Sequence, residues 1–182
     1  NLRNMNTLGG GDYSWILEEG FDQKSILPYM YPSKSEMLKN NIQIVYLGWF
    51  LGDWSLKNNG MISILNGLKI REDSPINTSD LFNTSALDED WVTVNQMIKY
   101  LKFGFGKTTD YVNEMIRLDE ISREDAINVV KKFDGKCSKK YIEDFCSFIE
   151  ISNDDFWETV SRFTNHDLFE INKKNGSIKR KF

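Results

Sequence analysis

The residues with the most readable chemistry in this chain are Lys102-Phe103-Gly104-Phe105-Gly106-Lys107-Thr108-Thr109-Asp110, a run set between two stretches of helical spacing. Alternating glycines permit positive φ and close approach of a backbone or ligand, and a helix beginning near Thr108 would turn free N–H groups toward an anion. Lys102 and Lys107 bring positive charge to the same place, and Asp110 closes the run. An interhelical turn with two aromatics in the core is the alternative, because short glycine-rich matches carry little without context. The run is not a phosphate-binding P-loop: the glycine spacing before Gly106-Lys107-Thr108 is wrong and no strand leads into it. It is not a dinucleotide fingerprint either.

A second run, Tyr46-Leu47-Gly48-Trp49-Phe50-Leu51-Gly52-Asp53-Trp54, follows a β-branched apolar stretch. Ligands of α/β sheets bind beyond the carboxyl ends of strands, which makes Gly48 and Asp53 site candidates, with a core-covering loop as the alternative. Asp88 in Leu87-Asp88-Glu89-Asp90-Trp91 is a further candidate, although Asp88 to Asp90 also suit a helix N-terminus electrostatically. No catalytic residue can be assigned. His166 is the single histidine and has no nameable orienting partner, so neither a Ser-His-Asp nor a Cys-His arrangement can be argued. Cys137, Cys146 and His166 cannot together supply a tetrahedral zinc site, so no metal is expected. Cys146, in the apolar run Phe145-Cys146-Ser147-Phe148-Ile149, reads as a buried, inert thiol.

The elements that must position these residues are mostly helices. Asp12 is placed to cap a helix over Tyr13 to Glu19, after a loop ending in Gly9-Gly10-Gly11 and before Gly20; Ser33 to Asn40 can form another after Pro32. Ile42-Gln43-Ile44-Val45-Tyr46-Leu47 predicts a strand buried on both faces. A lone strand cannot satisfy its own backbone groups, so its partners would lie in missing chain, with weaker local segments or a homodimer as alternatives. A helix over Asn59 to Leu68 is followed by a stretch of loop composition. Beyond Asp88, Trp91, Val94, Ile98 and Leu101 recur at helical spacing. Ser122, Ser138 and Ser152 then open three further helices whose expected inner residues are Ile127, Val130 and Phe133; Tyr141, Phe145, Phe148 and Ile149; and Phe156, Val160 and Phe163. Such short amphipathic helices are stable only packed together.

Composition sets the outer bounds. Hydrophobic content of 40% with 13% aromatics is globular, and 182 residues suffice for one sizeable core. A net charge of −4 divides into +5 on Lys173, Lys174, Lys179, Arg180 and Lys181 and −9 on the rest. An acidic body argues against nucleic-acid binding, which needs clustered Lys and Arg on a folded face, and the basic end reads as a solvated tail. No apolar stretch is long enough to span a bilayer and no basic-then-apolar leader opens the chain, so a cytoplasmic protein is expected. Asn1 in place of an initiator methionine is expected of a chain that is processed, trimmed or, the preferred reading, cut from something longer.

Five runs in order, Leu27-Pro28-Tyr29-Met30-Tyr31-Pro32, Ile44-Val45-Tyr46-Leu47-Gly48, the Lys102 to Asp110 run, Ile121-Ser122-Arg123-Glu124-Asp125-Ala126 and Lys131-Lys132-Phe133-Asp134-Gly135, together resemble the C-terminal half of the N-acetyl sugar amidotransferases. The resemblance covers about Leu8 to Asp167. It implies a PP-loop ATP pyrophosphatase of lipopolysaccharide or surface-polysaccharide biosynthesis that converts an acetamido group on an activated sugar to an acetamidino group. ATP with Mg would activate the amide oxygen, a poor leaving group otherwise, and a glutaminase partner would supply ammonia. The other implied partner is a nucleotide- or lipid-linked N-acetyl sugar.

The family's Ser-Gly-Gly-x-Asp-Ser loop and N-terminal cysteine pairs do not occur here, so this portion is expected to bind no ATP and to be inactive alone. Asp53-Trp54 reverses the family's Trp-Asp order, Lys107 stands where arginine is usual, and Asn95 where histidine is frequent. Lysine keeps the charge but loses bidentate oxyanion binding. On this resemblance Lys102 and Lys107 would stabilise phosphates, Gly104 and Gly106 would allow close approach, and Asp53 and Asp88 would orient polar groups.

The expected architecture is mainly α, a helical bundle with a small β contribution near 42–47 that would join an α/β ATP-binding sheet in the intact enzyme. Residues 1–54 would end that nucleotide-binding region, 55–170 form a helical domain and 171–182 a basic tail. A non-catalytic helical module docking a glutaminase or scaffold through Trp49, Trp54 or Trp157 is the alternative function.

Overall fold

A computed structural model describes residues 13–30, 32–43, 45–171 and 178–181. The expected Gly9–Gly11 loop, the cap at Asp12, and Tyr31, Ile44, Lys173 and Lys174 lie outside the described residues. Two compact units divide between Phe50 and Leu51.

The first unit holds α1 (Ser14–Glu18), α2 (Gln23–Ile26), a 3-10 turn at Leu27–Tyr29, α3 (Lys34–Lys39) and a 3-10 turn at Leu47–Trp49. Its best-built helix start is α3. Ser33 Oγ accepts from the Glu36 amide while the Glu36 carboxylate accepts from the Ser33 amide, so two end donors are satisfied reciprocally. Gly20, at φ +88°, terminates α1 as expected.

The strand expected over 42–47 does not form. Its described residues are irregular until the Leu47–Trp49 turn, and Val45, Tyr46 and Leu47 are exposed. β-branched character produces a strand only where a ladder neighbour takes up the backbone groups, and among the described residues none pairs with this segment.

The second unit begins with α4 (Leu56–Leu65) and α5 (Pro75–Thr78), then α6 (Val92–Phe103), α7 (Lys107–Arg117), α8 (Arg123–Phe133), α9 (Lys139–Phe148) and α10 (Asn153–Phe163). Its small β contribution comes from the chain end: β1 (Phe169–Ile171) pairs antiparallel with β2 (Ile178–Arg180), placing Glu170 opposite Lys179. The fold is thus mainly α with a small β element, as the sequence predicts, but the sheet is elsewhere. The residues at 178–181 expected in a solvated tail belong to it, and the Lys181 amide donates to the Leu168 carbonyl.

The core is built by α6, α9 and α10 on β1. Val94, Met97, Leu101, Tyr141, Ile142, Cys146, Phe156, Val160 and Phe169 form one buried cluster. Cys146 is buried, as expected of an inert thiol. Several predicted inner residues lie one turn position away from the true face: Ala126 is buried instead of Ile127, Ile142 and Cys146 instead of Phe148 and Ile149, and Phe163 is 58% exposed. Large aromatics at the stripe's edge mark the wrong side, because Phe148 covers Trp91 from outside, ring centres 4.3 Å apart.

Candidate functional site

Three segments converge at the start of α7. The first is the predicted run itself. Gly104 ends α6 at φ +83° with its amide donating to the Tyr100 carbonyl, and a side chain there would meet Leu168 Cδ1 at 2.6 Å. Gly106 is extended, not left-handed, but a Cβ on it would lie 2.6 Å from Asp134 Oδ1. Close approach is therefore real at both glycines, and the groups that approach are Leu168 and Asp134 of the same chain.

Asp134 occupies the place an anion was expected to take. Its buried carboxylate accepts from the Gly106 amide at 2.9 Å, the Thr108 amide at 3.1 Å and the Thr109 hydroxyl at 2.5 Å. Asp134 follows α8, so this carboxylate fastens the α7–α8 hairpin and satisfies two of the orphan donors at the start of α7. Two of the amides that would bind a nucleotide triphosphate at this loop are thereby used, and the loop does not fit that group.

The second segment is the polar stretch 78–85, read from sequence only as loop. Ser79 adopts φ +57°, its hydroxyl shared between the carbonyls of Phe133 and Lys136 at 2.9 and 2.8 Å, while its own carbonyl accepts from Thr108 Oγ1 at 2.8 Å. Asp80, buried, accepts from the amides of Phe82 and Asn83 and from Ser85 Oγ. The Tyr111 ring packs edge-on against Phe82, and burial, with Asp80 nearby, holds its hydroxyl protonated well above the usual range.

The third segment carries Arg71. Its guanidinium bonds Asp90 at 2.8 Å, the Ala86 carbonyl at 3.1 Å and Tyr141 Oη at 3.3 Å, while Tyr141 donates to Asp73 at 2.5 Å. Burial alone would lower the Arg71 pKa; Tyr141, Asp90 and Asp73 outweigh it and raise it. This arginine is fixed and only 10% exposed at its side chain.

Between these segments lies a cavity of about 80 Å³ lined by Arg71, Asp80, Ser85, Thr93, Gln96 and Lys107, among others. Gln96 Oε1 is buried there without a hydrogen-bond partner. The other face of α7 and α8 forms a larger groove of about 390 Å³, with Val112, Ile116, Ile127 and Val130 in its wall and Arg123, Lys131 and Arg180 as its cations.

Of the sequence-predicted residues, Gly104, Gly106, Lys107 and Asp110 belong to this region. Asp110 pairs with Lys99 at 2.7 Å, and the Lys99 ammonium also lies over the Phe105 ring. Lys102 is exposed, over the rings of Phe103 and Phe163. Asp53 precedes α4, its carbonyl accepting from Asn58, and Asp88 is exposed before α6. Gly48 sits in the Leu47–Trp49 turn of the first unit. Arg71, Asp80, Gln96 and Asp134 were missed. Only Asp134, immediately before a helix-ending glycine, stood in a run the sequence had singled out.

Among the described residues no cluster of His, Cys, Asp and Glu is arranged to hold a metal ion, and no helix is long and apolar enough to cross a membrane. Residues 77–181 match the family described as LPS biosynthesis protein WbpG-like, C-terminal domain. No curated protein matches the chain.

Proposed function

The chain belongs to the WbpG-like C-terminal-domain family of LPS biosynthesis proteins, and from that premise we propose that it forms the C-terminal part of a cytoplasmic, ATP-dependent N-acetyl sugar amidotransferase. The reaction replaces the oxygen of an acetamido group by nitrogen from ammonia, delivered by a glutaminase subunit, to give an acetamidino group. The observation that carries this reading is the family match over residues 77–181, which includes the site residues from Thr78 through Asp134 and leaves Arg71 outside it.

The site's chemistry supports a substrate-holding role. ATP with Mg would supply the activation of the amide oxygen, held by residues other than the Gly104–Asp110 loop, whose amides Asp134 takes. The residues around the cavity and the groove position the sugar. Lys107 places a cation at the polar cavity, where it favours negative charge developing on an amide oxygen. Arg123, Lys131 and Arg180 offer the neighbouring groove charges suited to the phosphates of a nucleotide or lipid carrier.

The test is incorporation of isotopically labelled ammonia into a nucleotide-linked N-acetyl sugar by the full-length protein with ATP, read by mass spectrometry. Labelled, amidinated product that is lost in a folded Lys107→Ala variant is the expected result. Absence of product with every nucleotide-linked N-acetyl sugar supplied, with ammonia in excess, contradicts the reading.

In the first unit the exposed aromatics Trp49 and Phe50 favour a second reading, a non-catalytic module that docks a glutaminase or scaffold. Under it the chain binds the glutaminase and Trp49→Ala weakens that binding, while sugar binding is absent. Trp157 is set against Phe156 and packs on the core.

A further inference from the structure

The polar cavity beside α7 has an unusual balance of used and unused groups. Thr93 Oγ1 donates to the Asp90 carbonyl and Ser85 Oγ to Asp80, so these hydroxyl protons are committed. Arg71 is neutralised by Asp90. What remains is the Gln96 side-chain amide, whose buried Oε1 has no donor, and one ammonium, that of Lys107. Lys107 Nζ rests 5.0 Å from the centre of the Tyr111 ring and, among the described residues, forms no ion pair.

A buried acceptor left without a donor is a penalty that an occupant with an N–H or O–H relieves. Lys107 in turn calls for an oxygen acceptor. The charge balance distinguishes a neutral occupant from an anion: Asp80 offsets Lys107 and Asp90 offsets Arg71, leaving the lining close to neutral, and a second carboxylate would stand near Asp80. The volume of about 80 Å³ admits a group of a few heavy atoms. A carboxamide is a neutral group of that size that carries both a donor and an acceptor.

We propose that this cavity binds a small carboxamide group, its N–H donating to Gln96 Oε1 and its carbonyl oxygen facing the Lys107 ammonium. Identifying that group with the acetamido of the sugar rests on the function proposed above; the preference for a carboxamide does not. In that setting Gln96 is a specificity-determining residue: its buried Oε1 accepts from an acetamido N–H and repels the oxygen of a carboxylate.

The test is amide NMR of the nitrogen-labelled 182-residue chain titrated separately with acetamide, N-methylacetamide and acetate, to about 100 mM because ligands of so few atoms bind weakly. Saturable shifts at the Gln96 side-chain amide and the Lys107 backbone amide with both amides, and affinity at least about tenfold lower for acetate, are expected. Gln96→Leu should weaken acetamide binding about tenfold with the remaining spectrum preserved. If Gln96→Leu unfolds the chain, Lys107→Met serves in its place. Non-saturating shifts spread over the surface would leave the cavity to water and overturn the proposal. So would acetate binding as well as acetamide, with Gln96 turning its amide to donate, or unchanged acetamide affinity in both variants. Failure here alongside labelled amidinated product from the full-length protein removes the cavity assignment alone; acetamide binding without that product removes the reaction and keeps the site.

Discussion

Asp134 illustrates how a side chain far along the chain can decide what a glycine-rich run does. Its carboxylate takes the Gly106 and Thr108 amides and the Thr109 hydroxyl together, so Asp134→Ala should cost about 3 kcal/mol, by leaving several buried donors unmet. Asp134→Asn, which keeps one acceptor oxygen, should cost about half as much. Urea denaturation checks both, and an Asp134→Ala protein as stable as its parent would show the carboxylate to be dispensable.

Cys137 gives a pH prediction. Burial pushes its thiol up to about 11, while the hydrogen bond to Thr93 acts in the opposite direction. The unfolded thiol, with an ordinary value of 9.0, releases its proton first, so Cys137 contributes stability below that value and loses it as pH rises toward 11. Stability of the parent should therefore fall more steeply over this window than that of Cys137→Ala; parallel curves would rule this out. The chemistry of Gly104 to Asp110 was legible because glycine and lysine announce backbone freedom and charge. Arg71, Gln96 and Asp134 were not, because each enters through a tertiary contact that no local spacing encodes.

At the scale of elements, the caps were the most readable feature. Ser122 and Ser152 accept from the Asp125 and Asp155 amides at 3.1 and 3.0 Å, and serine at these positions announces a helix start by the donors it satisfies. Ser122→Ala and Ser152→Ala should each cost about 1 kcal/mol, measured by thermal unfolding; a change of a few tenths would mean that water replaces the cap.

Gly135 ends α8 at φ +72°, and a Cβ there would overlap the Tyr100 ring. Gly135→Ala should thus destabilise by about 2 kcal/mol, through the left-handed backbone and the overlap together. Helix faces were read less well than helix ends. A period of 3.6 leaves two adjacent stripes to choose from when aromatics flank the buried one, as Phe148 and Phe163 do. The strand over 42–47 failed for another reason: its apolar run is real, but strand formation depends on a neighbour the local sequence cannot supply.

For the whole molecule, the body at 51–182 carries the buried cluster, the hairpin fastened by Asp134 and the terminal sheet within one compact unit. A protein comprising residues 51–182 should therefore unfold cooperatively with the helical signal of that unit; a non-cooperative transition would show that its core is incomplete. Fold class was legible at this scale because amphipathic periodicity with capped ends dictates helices packed on helices. The chain end was not, since a short two-stranded ribbon of mixed basic and apolar residues resembles a solvated tail in composition.

The claim that ties the three scales together is that this unit recognises the acetamido group of a sugar. Calorimetric titration of the chain with a nucleotide-linked N-acetyl sugar, beside the same sugar bearing a free amine, tests it most directly. The account predicts saturable binding of the acetylated sugar, weakened about tenfold or more on removing the acetyl group or on Gln96→Leu. Equal binding of the two sugars, or of neither, would contradict it.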